Sequence, residues 1–395
     1  MMIENDCGKR VVVVAARRSA VSTIPGTLNQ MSDVELLANV FRDVSSGFHE
    51  QIDSAIAGSA FPVERDNLCR KSILTAGLPS KIYCATISKT CASSDEALSI
   101  AYSTILSCKS QAILVGGCEK VSNSSYMLGF MKKRVRDSLK MQLPFFDDIK
   151  LKKNEDEMHY ITEMLAHKHN ITREMQDFFA INSRTKLKKA YDANKFEDEI
   201  IPIRYSEEIE ERFHIDELAQ QPFDENEIRA EAPMFIQNGT LTKYNTAPMC
   251  DCATAMLIMD HKLSQEIGLK YLIEIKDVSW IGVSQNEIGY AMGKCVKKIL
   301  EDNHLDKNDI GLYEINEAFA AQAIVTIDFL DIDINKVNVN GGNLALGYPV
   351  GASGMRMCIT LIHEMIRSHS KYGISVMCGG GAMANAILFE NTFSK

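Results

Sequence analysis

Twice along the chain an apolar run passes through a tight turn into a helix rich in small residues, which leads to a second apolar run ending in glycines. The first instance covers residues 86–119 and closes on Ala112-Ile113-Leu114-Val115-Gly116-Gly117. The second covers residues 337–388 and closes on Val376-Met377-Cys378-Gly379-Gly380-Gly381. The same order at two sites predicts duplicated halves, although residue identity between them is weak. Residues 11–15, 83–87, 113–117, 256–259, 337–339 and 374–378 read as short buried strands, and 96–106, 293–300 and 355–366 carry helical periodicity. The alternation is that of an α/β fold, and 395 residues suffice for two core-bearing units or one large duplicated domain.

Residues 132–232 break the alternation. They are densely charged, with Lys152-Lys153, the lysines from Lys186 to Lys189 and the stretch from Glu207 to Arg212, and a helix is predicted over 173–191 behind a Thr172 cap. A polar insertion of this length on one half is where an α/β enzyme builds a cover for its substrate. The net charge of −9 argues against nucleic acid or an anionic membrane as partner. The apolar run 11–16 is closed by Arg17-Arg18, too short for a signal-peptide core, and no apolar run approaches a membrane-spanning length. Eleven cysteines without regular spacing read as the reduced thiols of a cytoplasmic protein. Cys250-Asp251-Cys252 lacks a second ligand pair at zinc spacing, so no metal is expected.

Cys91 lies between the predicted strand 83–87 and the helix that follows. A thiol at a helix N-terminus faces unpaired N–H groups and the positive end of the dipole, both of which favour thiolate. Ser93 with Glu96 has the spacing of a capping box. The carboxylates of Asp95 and Glu96 are close enough in sequence to oppose the thiolate. Farther on, Asn340-Gly341-Gly342-Asn343-Leu344-Ala345-Leu346-Gly347-Tyr348-Pro349-Val350-Gly351-Ala352-Ser353-Gly354 is rich in glycine but does not have the spacing of a dinucleotide fingerprint.

Cys91-Ala92-Ser93, Gly116-Gly117 followed by Glu119 and Ser122, Gly239-Thr240-Leu241-Thr242, Asn316-Glu317-Ala318-Phe319-Ala320, the glycine block and Cys378-Gly379-Gly380-Gly381 stand in this order along the chain. Together they resemble the thiolases. Arg17-Arg18, Arg65-Asp66-Asn67 and Phe178-Phe179-Ala180 are also in register, so the resemblance covers nearly the whole sequence. It implies a fold of two βαβαβαββ halves packed as five layers, αβαβα: an N-terminal half on residues 1–122 and 246–264, a loop domain on 123–245 and a C-terminal half on 265–395. It also implies a homodimer or homotetramer. The implied activity makes or cleaves a 3-oxoacyl thioester, with coenzyme A thioesters as substrates and no permanently bound cofactor.

The resemblance assigns roles one residue at a time. Cys91 matches the cysteine that becomes acylated, and Cys378 the one that moves the α-proton. Asn316 matches the asparagine of a first oxyanion hole, while backbone N–H groups of Cys91 and Gly380 match a second. Met158, Phe235, Ala247 and Phe319 match positions lining the substrate channel.

Departures accompany the matches. Tyr348 stands where the family has a histidine that polarises the nucleophile. A phenol is a poor base at neutral pH but a capable hydrogen-bond donor. Ser94-Asp95-Glu96 replaces a usual glycine after the nucleophile, Ala247-Pro248 replaces a Ser-Gly, Pro222-Phe223 stands for a Pro-Arg and His159 for a glycine. His159 is thereby a candidate substitute base. Two other readings follow from these changes: a C-acyltransferase using another acceptor or a carrier-protein thioester, and a non-catalytic thiolase-like subunit.

Overall fold

The computed structural model describes residues 8–61, 66–123, 127–128, 141–142, 158–206, 210 and 212–393. Arg65, Lys152, Lys153 and, within the stretch 207–212, Glu207, Glu208 and Glu211 lie outside the described residues.

Nine strands form one sheet: β1 (Val11–Arg18), β2 (Ser54–Gly58), β3 (Tyr83–Ile87), β4 (Ala112–Glu119), β5 (Cys252–Asp260), β6 (Ile273–Gly282), β7 (Ile310–Ile315), β8 (Tyr372–Gly379) and β9 (Met383–Glu390). Their order is β3-β2-β4-β5-β1-β6-β9-β8-β7. In the first half β5 runs antiparallel to both β4 and β1, while β2, β3 and β4 are parallel. The second half mirrors this, with β9 antiparallel to β6 and β8, and β8 parallel to β7. The duplication is therefore in the strand order. The halves join where Val11–Val13 pair with Ile273–Ile275.

Side-chain alternation builds the layers, because successive residues of a strand point to opposite faces. Val12, Val14, Leu114, Leu257 and Met259 share a core with α1 (Asp33–Val44) and α2 (Leu68–Thr75). Their neighbours Val11, Val13, Ile113, Val115, Met256 and Ile258 pack instead on α3 (Ser93–Leu106) and, beside it, a long helix near the C-terminus, Ser353–Ser368. On the far side Ile315, Val376, Ala384, Ala386 and Leu388 pack on two outer helices, Ala291–Asp302 and Ala320–Leu330. The result is a five-layered α/β fold with two helices enclosed in its middle. Strands covered on both faces read as continuous apolar runs, as β4 and β5 do.

The insertion contributes α4 (Met158–Lys168) and α5 (Arg173–Asp192), the latter capped by Thr172 as its sequence predicts. The three C-terminal helices follow as α6 (Ala291–Asp302), α7 (Ala320–Leu330) and α8 (Ser353–Ser368).

Two local expectations fail. Residues 337–339 do not form a strand: Val337 makes a single bridge to Tyr313, and Asn338 turns into the left-handed region at φ 44°. The Asn338 amide instead clamps the end of β7, accepting from Ile315 N–H at 2.8 Å and donating to its carbonyl at 2.9 Å. A side chain thus replaces the strand ladder. The capping box at α3 does not form either, because the helix begins one residue early and Ala92 is its cap. Ser93 Oγ accepts from Lys89 N–H at 2.9 Å and donates to the Thr90 carbonyl at 2.5 Å, and Glu96 pairs with Lys89 Nζ at 2.7 Å.

Arg18 ties the insertion to the sheet. Fully buried at the end of β1, it donates to Glu199 at 2.7 Å and to both oxygens of Asp216 at 2.7 and 3.0 Å. Removing one member of a buried ion cluster leaves the others unpaired in a poorly polarisable interior. Arg18→Met is expected to lower unfolding stability by about 3–5 kcal/mol, measured as a reduced urea midpoint; an unchanged midpoint would show that the cluster contributes nothing net.

Candidate functional site

Three turns converge at one end of the sheet. The first joins β3 to α3 and carries Cys91, the second is the glycine block leading into α8, and the third joins β8 to β9 and carries Gly380. Ligands in open α/β folds bind beyond the carboxyl ends of the parallel strands, where helix N-termini gather. Ala92, Phe179, Ala247, Tyr348 and Cys378 lie in one apolar cluster, with Cys91 and Phe61 packed against it. Phe319 is buried just before α7, and its backbone bridges Thr246. Met158 and Phe235 are not part of this cluster; both are more than a third exposed, and Phe235 stacks on His159 at 4.6 Å.

Two buried carboxylates hold the turns together. Glu119, at the end of β4, accepts from the N–H groups of Ala60 at 2.8 Å, Phe61 at 3.1 Å and Gly351 at 2.9 Å, fastening the β2 loop to the glycine block. Glu317 accepts from Ser183 at 2.9 Å, Asn338 at 2.6 Å and Leu344 N–H at 3.2 Å. Gly342 passes so close to Glu317 that a Cβ there would lie 2.1 Å from its carboxyl carbon. Gly347, at φ +102°, aims the next residue inward, and a Cβ on it would meet Cys250 Sγ at 2.4 Å. Tyr348 is then fixed by its own N–H donating to the Pro248 carbonyl at 2.8 Å.

Around the sulfurs the polar groups are few. Asn316 Nδ2 donates to Cys378 Sγ at 3.0 Å, and Asn316 Oδ1 accepts from Asn343 at 2.6 Å. The Tyr348 hydroxyl is buried and makes no hydrogen bond of good geometry to the described residues, although Cys91 and Asn316 are near enough to bear on its proton. The Gly380 N–H is occupied: Thr90 Oγ1 accepts from it at 2.5 Å. Thr90 has φ 50°, an uncommon left-handed conformation for a β-branched residue.

The protonation pattern departs from the expectation of a helix-activated thiolate. Cys91 precedes the cap of α3, and burial pushes its thiol up to about 12, with the neighbouring Cys378 adding to the rise. Glu119 is the carboxylate that raises it further, whereas Glu96 is drawn off by Lys89 and Asp95 is buried beside Gly354 and Cys358. Burial also raises Cys378, against the lowering effect of the Asn316 hydrogen bond. Burial raises Tyr348 well above the ordinary phenol value, so it is a neutral donor. Cys250 and Cys252 are buried, and Asp251 between them pairs with Lys120 at 2.6 Å.

Residues 11–262 match the family described as thiolase, N-terminal domain, and residues 269–391 match thiolase, C-terminal domain. The chain belongs to the thiolase family. Among curated thiolase relatives, an acetyl-CoA acetyltransferase of Cupriavidus necator is 33% identical over 391 residues, covering 96% of this chain and 99% of the relative. A 3-ketoacyl-CoA thiolase of Bacillus subtilis is 31% identical over 396 residues, covering 97% of each. The crystal structure of the Bacillus anthracis acetyl-CoA acetyltransferase superposes with a TM-score of 0.91 at 31% identity, over 97% of this chain and 98% of that one.

Thr90, Asn343 and Arg356 also bear on the site, through contacts that no sequence pattern marks. Nothing local marks Arg356, which lies on α8 and is buried. The protonation of Cys91 is directly measurable. Its value is raised, so below about pH 12 the thiolate fraction climbs with pH rather than reaching a plateau. Alkylation of Cys91 by iodoacetamide is expected to accelerate ~tenfold per pH unit between about pH 7 and 9. Tyr348→Phe is expected to slow it further, because the phenolic donor beside Cys91 is one of the influences that lower the thiol. A plateau near neutrality would overturn this assignment.

Proposed function

We propose that the protein is a thiolase-type acyltransferase that forms or cleaves a 3-oxoacyl thioester through an acyl group carried on Cys91. The observation that supports it most is the pairing of Asn316 with Cys378 at 3.0 Å in the same enclosed cluster that holds Tyr348 and abuts Cys91. Two thiols, one amide and one unspent phenolic donor in an apolar enclosure suit thioester chemistry.

In the first half-reaction Cys91 sulfur attacks the thioester carbonyl, the bond to the coenzyme A sulfur breaks, and the proton of Cys91 leaves with the coenzyme A thiol. In the second, Cys378 as thiolate takes an α-proton from another acyl thioester, and the resulting carbanion attacks the acyl carbon on Cys91. The new carbon–carbon bond forms as the Cys91 thioester breaks, and the proton held by Cys378 returns to Cys91. The neutral Tyr348 hydroxyl would donate to an oxygen on which charge develops. Gly380 N–H would serve a second such oxygen only after Thr90 releases it.

A phenol in place of an imidazole leaves Cys91 without a general base, a loss on the order of 10²–10⁴ in rate. Ala247, Phe319, Met158 and Phe235 are proposed to line the path of the pantetheine arm, and homo-oligomeric assembly is proposed with them.

Incubation with acetyl-CoA or acetoacetyl-CoA, followed by intact-mass measurement and titration of free coenzyme A, tests the proposal. An acyl adduct is expected that is absent in Cys91→Ala and forms ~10²-fold faster in Tyr348→His. No adduct in either the parent or Tyr348→His would overturn the acyl-enzyme reading. Labelling by an acyl-carrier-protein donor alone would reassign the donor.

A further inference from the structure

An amide side chain can lie either way round, and its neighbours choose. At this site the choice traces back to a residue that can only donate. Arg356 is buried on α8; its guanidinium donates to Asn343 Oδ1 at 2.6 Å and lies 3.7 Å from the buried Glu314 carboxylate. Arginine offers no acceptor, so the oxygen of Asn343 must face it. The nitrogen of Asn343 must then face Asn316, at 2.6 Å, and only the oxygen of Asn316 can receive it. The nitrogen of Asn316 is left pointing at Cys378 Sγ, at 3.0 Å.

We propose that Asn343 and Arg356 are positioning residues that fix the sense of the Asn316 amide, so that an N–H and not a carbonyl oxygen faces Cys378. Reversing that amide would set an oxygen lone pair against the sulfur, repelling the thiolate that the N–H stabilises. All four side chains from Arg356 to Cys378 are buried, so water does not compete for these contacts. Among the described residues, Gln322, whose Oε1 lies 3.9 Å away, and the Cys91 and Tyr348 groups also face Cys378. Tyr348 also lies near Asn316, but a hydroxyl both donates and accepts and so does not by itself choose the sense of that amide. The catalytic meaning of the arrangement rests on the proton-transfer role proposed for Cys378. The orientation itself does not.

The test reads the sulfur directly. In a Cys91→Ala background, the rate of Cys378 alkylation by iodoacetamide at pH 8 is followed by peptide mass for Asn343→Asp, Asn343→Ala, Asn316→Leu and the double variant Asn316→Leu/Asn343→Asp. Asn343→Asp preserves volume and the Arg356 contact but cannot donate, so Asn316 must turn its nitrogen away from Cys378. A hydrogen bond to a charged group corresponds to ~tenfold or more in thiolate population. Asn343→Asp is therefore expected to slow alkylation ~tenfold, and Asn343→Ala, which leaves Asn316 free to take either sense, by less. In the double variant Asn343→Asp should add nothing to Asn316→Leu, because its effect runs through that amide. An unchanged rate in Asn343→Asp, or additive slowing in the double variant, would overturn the proposal. Because no acyl donor is present, this outcome is independent of whether Cys91 can be acylated.

Discussion

The site depends on how closely two helices approach one another in the middle layer. The starts of α3 and α8 meet where Ser94 Oγ accepts from Met355 N–H at 3.0 Å, and Gly354 lies so near Asp95 that a Cβ would fall 2.3 Å from its oxygen. Gly117 on β4 leaves similar room beside Ala352. Side chains of ordinary size at these points would force the helix starts apart. Since Cys91 lies just before one helix and Tyr348 just before the other, separating them would separate the Cys91 thiol from the Tyr348 hydroxyl. Small residues at the crossing therefore hold the geometry of the sulfurs, although none of them reacts.

A second constraint is the cost of enclosing charge. Glu119 and Glu317 lie deep in the protein, and burial raises both, Glu119 to about 7, even while backbone N–H groups pull them down. Each spends its oxygens on turns that have no ladder of their own, so the irregular backbone around the sulfurs is satisfied by side chains. The same enclosure raises Cys91, Cys378 and Tyr348. An apolar chamber would suit acyl thioesters and would exclude water from the acyl intermediate proposed on Cys91, but it leaves the Cys91 thiol protonated unless something accepts its proton. A neutral phenol at position 348 does not take up that role, and the net effect on Cys91 is a thiol raised by burial.

Much of this was legible in the chain. The strands at 83–87 and 374–378 and the helices at 96–106, 173–191 and 355–366 follow from periodicity and flanking residues, and the ordered motifs point to one family. The strand expected at 337–339 failed because Asn338 can use its amide in place of a strand partner, an option apolar patterning does not register. The capping box at Ser93 failed because the helix started one residue early, a choice made by the turn from Lys89 to Thr90. The carboxylate bearing on Cys91 is not a sequence neighbour but Glu119, which arrives from the end of another strand.

Sequence by itself determined the class of fold and its duplication and marked the candidate reactive groups, because periodicity and residue chemistry are local properties. Tertiary structure alone decided their state. Whether Cys91 is thiol or thiolate depends on how completely the surrounding layers exclude water. Whether Gly380 N–H is free depends on a Thr90 hydroxyl from another turn. The sense of the Asn316 amide depends on Arg356, forty residues away along the chain (316 to 356) and two hydrogen bonds away in space. Proton affinity and hydrogen-bond direction are set by whatever stands within a few ångströms, and in a five-layered fold those neighbours come from distant parts of the sequence.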